Sequence, residues 1–112
     1  MYRVIFEHHP KKDQEEAFIK QWQKGSDIIQ TYSGARGTKL FRDKNKPGIL
    51  YAMAEWDSKD IRTQAVEKIK ERPDADLILH EHTKYVDSHE TIMELECIAE
   101  SNPPNQIEAK NN

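Results

Sequence analysis

A single cysteine, Cys97, in a chain of 112 residues allows no internal disulfide and no multi-cysteine zinc cage. Long apolar runs are missing too: nothing approaches the ~20 apolar residues a membrane-spanning helix needs. The opening MYRVIFEHHPKK has no apolar core of the kind that marks a secretion signal. Charge of one sign is nowhere concentrated. The 17 basic and 20 acidic residues are interspersed to a net charge of -3, which leaves no electrostatic footprint for nucleic acid. There is no glycine-rich phosphate loop, zinc framework or serine-nucleophile motif, and the short GARG at 34–37 lies inside a strand pattern. The expectation from these absences is a single cytoplasmic domain without nucleic-acid or membrane partners.

Apolar residues make up 36% of the chain, enough for one core at this length. Their spacing alternates between two periods. Tyr2, Val4, Phe6 and His8 share one face of a first strand, with Arg3, Ile5 and Glu7 on the other. Phe18, Trp22, Gly25, Ile29 and Tyr32 then recur at helical steps over about 13–32, with Asp13 and Glu16 in capping-box spacing and Ser33-Gly34 as a stop. Ala35 to Arg42 and Ile49 to Trp56 read as a hairpin across the loop DKNKPG. A helix capped by Asp57 or Ser58 follows, striped by Ile61, Ala65 and Ile69 and stopped by Pro73. After a short segment that is helical or irregular, Val86 to Ile98 reads as the last strand. Thr91, Met93, Leu95 and Cys97 would face the helices, and Ile92, Glu94, Glu96 and Ile98 would face away.

The order β-α-β-β-α-β predicts an α+β, ferredoxin-like fold, with one four-stranded antiparallel sheet and helices on one side. Residues 1–100 form that domain, and 101–112, with almost nothing to bury, read as a flexible tail. The other side of the sheet would carry Ile5, Tyr51, Met53 and Ile98 among glutamates. That face is too apolar for water, yet its carboxylates cannot be buried unpaired. A second copy of the chain packed sheet to sheet resolves the conflict, so a homodimer is expected.

Candidate chemistry rests on histidines and aromatic rings. His80 and His82 form the clearest cluster. On a strand they would share a face and could hold a metal; on a helix they diverge by about 200°. The helical or irregular reading is preferred, so no metal site is expected. One of the pair then serves as acid/base or pocket wall, or both are solvated. His8 shares the face of Phe6 and is either a pocket-edge group or a strand-end histidine. Phe6, Trp22, Tyr32, Phe41 and Trp56 suit the walls of a cavity for a flat aromatic ligand, and equally a plain core. His89 has no visible partner in the sequence. Glu7 and Glu55, on neighbouring strands, read as a carboxylate pair satisfied by Arg3 or Arg42. Cys97 reads as a small buried apolar residue.

The segments YRVIFE, GARGTKLFRD and LYAMAEWDSKDIR, with LILHEHTKYV before the last strand, resemble the antibiotic biosynthesis monooxygenase family over residues 2–98. The resemblance implies a dimeric α+β barrel with a pocket between helices and sheet. It implies cofactor-free oxygenation of a small aromatic or quinone-type substrate, with His80 or His82 as base and Phe6, His8, Trp22 and Trp56 around the ligand. The alternative is a non-catalytic, ligand-binding or stress-related dimer of the same fold. A haem-degrading branch of the family uses an Asn on the first strand, a Trp in the second helix and a His before the last strand. Glu7 and Gln64 stand at the first two positions here, which speaks against haem as a cofactor.

Overall fold

The computed structural model of the chain describes residues 1–79 and 84–109. Strand β1 (Tyr2–Pro10) leads into helix α1 (Glu15–Ile29), the hairpin β2 (Ala35–Arg42) and β3 (Leu50–Trp56), helix α2 (Lys59–Lys70), the short helix α3 (Ala75–Ile78) and strand β4 (Val86–Glu96). The sheet order is β2-β3-β1-β4 with every neighbouring pair antiparallel. This is the ferredoxin-like plan expected from the order of the elements.

One face of the sheet carries the core. Phe18 and Trp22 of α1 pack on Leu50, Ala52 and Val86. Ala65 of α2 packs on Tyr2, Val4 and Trp56. Leu50, Ile69, Ile78 and Val4 are the largest side chains fully removed from water, each contributing about 1.5–3 kcal/mol by burial. The alternation along β1 and β3 is thus the one their sequences predict.

The start of α1 is not. Asp13 takes a left-handed φ of 66° instead of capping, and Gln14 occupies the N-cap without a side-chain hydrogen bond. The helix also stops earlier than its apolar stripe, at Ile29, and Gly34 completes the turn beyond it at φ 91°. A Cβ at Gly34 would lie 2.2 Å from Ile61 Cγ2, so only glycine lets α2 approach here. Ser58 caps α2 as expected: its hydroxyl accepts the Ile61 N–H at 3.1 Å.

The largest departure lies in β4. Phe6 stands opposite Thr91 but Ile5 opposite Met93, so Ile92 is an extra residue and the alternation changes phase there. Met93 and Leu95 therefore share the side of Ile5 and Arg3, away from the helices, and Glu94 shares the side of Val4. That reverses the expected faces. Glu94 reaches the Tyr2 hydroxyl, which donates to it at 2.6 Å, and Lys59 Nζ at 3.2 Å. Cys97, expected inside, is exposed. Residues 97–109 have no regular secondary structure and are exposed throughout. Among the described residues no helix is long and apolar enough to cross a membrane.

Candidate functional site

Between the helices and the sheet lies a cavity of about 340 Å³, toward the small end of the roughly 300–1,000 Å³ common for ligand sites. Its floor is the helix-facing side of the sheet, with Phe6 and His8 from β1, Ala52, Ala54 and Trp56 from β3, and His89 and Thr91 from β4. Two alanines there leave room that larger β3 side chains would fill. Trp22 and Ser26 of α1 and Arg62 and Ile69 of α2 supply the opposite wall. The four residues expected around a ligand, Phe6, His8, Trp22 and Trp56, thus line one cavity.

His8 is the unusual member. Its side chain is only 3% exposed, and among the described residues neither Nδ1 nor Nε2 has a hydrogen-bond partner. Its neighbours are rings: Phe18 at 5.1 Å, His89 at 6.0 Å and Phe6 at 6.3 Å between centroids. Burial, followed by the proximity of His89 and His9, lowers the His8 pKa from 6.5 to about 4. The imidazole is therefore neutral near pH 7, with one N–H to donate and one bare nitrogen to accept.

Arg62 lies over the Phe6 ring, its guanidinium carbon 5.6 Å from the ring centroid. It belongs to a polar cluster with Tyr2, Glu94 and Lys59. Burial and then the bond to Glu94 raise the Tyr2 pKa, with Arg62 opposing, while Tyr2 and Lys59 hold Glu94 below its usual range. Among the described residues the remaining charged groups at the cavity, Lys70 and Glu90, are exposed at its rim.

His80 and His82 lie outside the described residues; Leu79, just before them, lines the cavity. Phe41, a candidate wall, is 45% exposed and lies away from the cavity. Tyr32 packs beside Trp56 and accepts a hydrogen bond from Arg72 Nη1 at 3.3 Å. Glu55 pairs with Arg3, whereas Glu7 accepts from the Tyr51 hydroxyl at 3.2 Å and lies 3.5 Å from His9. Arg42 pairs with Glu15 instead. Among the described residues no group of three His, Cys, Asp or Glu could hold a metal ion.

Sequence reasoning missed Arg62 and His89. Arg62 precedes Ala65 by three residues and Ile69 by seven, so it falls on the buried stripe of α2, a signal available from spacing. His89 faces His8 directly across β1 and β4. Only the strand register reveals that pair.

The model of the family described as antibiotic biosynthesis monooxygenase matches residues 1–68. No curated protein matches the chain. Among solved structures, a mutant of SnoaB, a cofactor-independent oxygenase from Streptomyces nogalater, superposes with a TM-score of 0.71 at 13% identity, over 88% of this chain and 94% of that one. Rv0793 from Mycobacterium tuberculosis gives 0.70 at 14%, covering 90% and 98% respectively. A NIPSNAP domain protein from Burkholderia xenovorans gives 0.70 at 17%, covering 92% and 100%. At such identities the likeness is one of fold.

Proposed function

Since the chain belongs to the antibiotic biosynthesis monooxygenase family, we propose that it oxygenates a small aromatic or quinone-type substrate without a cofactor. The observation that carries this reading is the cavity into which Phe6, Trp22, Trp56 and the buried His8 converge. Its apolar, aromatic walls and few polar groups suit a flat ring system. In such a reaction the substrate itself supplies four electrons to O₂. A ring C–H para to a hydroxyl becomes a carbonyl, and the second oxygen atom leaves as water. The protein's part is to bind the ring, exclude water and remove the hydroxyl proton. His80 or His82 is proposed for that last step, because Leu79 beside them already lines the cavity.

A homodimer belongs to the same proposal. Met93 and Leu95, 50% and 41% exposed, join Ile5 and Met53 on the face without helices. A cytoplasmic setting also belongs to it, in keeping with the lone thiol of Cys97.

Oxygen uptake on adding a dihydroxynaphthalene, above the spontaneous rate, tests the reading. It should vanish when Ala54→Phe fills the cavity and fall at least tenfold when His80 and His82 are both replaced by alanine. Retained turnover in the double variant removes those histidines from the mechanism. The competing reading is a ligand-binding dimer without catalysis, favoured by one observation: among the described residues no carboxylate is hydrogen-bonded to His8 to activate it. Saturable binding with no uptake would establish that alternative.

A further inference from the structure

The cavity contains one feature that neither packing nor folding explains. A buried polar group without a partner destabilises the protein that contains it, and among the described residues neither ring nitrogen of His8 has one. Phe, Leu or Val at this position would complete the apolar face of β1 at no such cost. The imidazole is instead placed at the cavity surface, two residues from Phe6 on the same face, with Phe18 against its ring.

We propose that His8 is the anchoring group of the site, binding an uncharged hydroxyarene or its quinone through a hydrogen bond to the ligand oxygen. The proposal rests on the reading of the cavity as an aromatic-ligand site and adds which ligand atom is recognised, by what, and in which charge state. A hydroxyl donates to the bare ring nitrogen, and a quinone oxygen accepts from the N–H. One neutral side chain therefore serves both oxidation levels of the same ring. The rings of Phe6 and Trp22 take the ligand's apolar body.

The charge state follows from where the ionic groups lie. Arg62 is engaged with the Phe6 ring and shares a cluster with Tyr2 and Glu94, and Lys70 and Glu90 stand at the rim. Among the described residues no unshared cation faces His8 from the elements packed against it. The titratable neighbours on that side, among the same residues, are His89 across the sheet and His9 along the strand. An anionic ligand buried beside His8 would lose its hydration without gaining a counter-charge.

Binding of 1-naphthol, naphthalene and 1-naphthoate to the full chain, followed by quenching of tryptophan fluorescence, tests the proposal. At pH 7 1-naphthol should bind roughly tenfold tighter than naphthalene, and 1-naphthoate weakest. In His8→Phe that preference should fall to about one while naphthalene affinity is held or improved. A His8→Gln variant, which keeps a donor and an acceptor, should restore part of it. Equal affinity of wild type for naphthol and naphthalene would overturn the assignment, as would a naphthol preference that survives in His8→Phe. Tightest binding of 1-naphthoate would overturn it too, by assigning recognition to Arg62 or Lys70, and so would failure of all three probes to bind. Oxygen uptake is read separately: hydroxyl-dependent binding without turnover supports the anchor and removes the oxygenase.

Discussion

At the scale of single residues, two positions carry consequences that can be measured without a substrate. His8 is neutral when folded, with its pKa lowered from 6.5 to about 4 by burial. The unfolded chain therefore binds a proton at this site before the folded one does. Stability is unaffected above about pH 6.5, declines as pH falls through the window toward 4, and is flat with respect to His8 below it. The loss across that window is up to ~3 kcal/mol. Asp74 and Glu94, whose pKa values are lowered by Arg72 and by Tyr2 with Lys59, add their own losses only in the carboxylate range further down. Comparing denaturant midpoints of wild type and His8→Phe at pH 7.5 and pH 5 isolates the histidine. The variant should be at least as stable at the higher pH and clearly more stable at the lower. An unchanged difference between the two pH values would mean that folding does not lower the His8 pKa. Gly34 is the opposite case, a residue whose value lies in having no side chain. With φ at 91° and Ile61 Cγ2 2.2 Å from the site of a Cβ, Gly34→Ala should cost roughly 2–4 kcal/mol through strain and overpacking. A melt showing less than 1 kcal/mol would mean that Ile61 simply moves aside.

Among the elements, α2 is held at its start by Ser58, whose hydroxyl accepts the Ile61 N–H. Ser58→Ala should cost about 1 kcal/mol, seen as a lower urea midpoint with an unchanged slope. That cap was legible in the sequence, as were β1, the hairpin and the helical stripes, because each rests on local spacing. The phase change in β4 was not. An extra residue at Ile92 leaves no mark on composition, and alternation extrapolated through it assigns Met93, Leu95 and Glu94 to the wrong sides. Only pairing with β1 determines where the bulge falls. The site shows the same division. Phe6, His8, Trp22 and Trp56 could be gathered because each lies on a face that periodicity defines. Arg62 was passed over because a cation on an apolar stripe reads as an interruption. His89 could not be matched to His8 before the register of β1 with β4 was known.

For the whole molecule, the bulge has an effect beyond its strand. By turning Met93 and Leu95 outward, it adds two apolar side chains to the face that already bears Ile5 and Met53. Phe41, 45% exposed and paired with Tyr51, extends that face along β2. Of its charged residues, Arg3 is matched with Glu55 and Glu7 with the Tyr51 hydroxyl within the chain. They can accordingly flank an interface without being left unpaired in it. An apolar strip bordered by satisfied polar groups is what an isologous contact between two sheets requires. If two copies meet there, a charge at Met93 appears twice near the contact, so Met93→Asp should separate the chains, whereas Lys68→Asp on exposed α2 surface should not. Sedimentation velocity at micromolar concentration should give twice the mass of one chain for wild type and Lys68→Asp, and the single mass for Met93→Asp. The melting temperature of wild type should rise with protein concentration, as folding linked to association demands, and that dependence should disappear in Met93→Asp. Single chains in wild type at every concentration would leave the apolar strip without an occupant and refute this role for the bulge.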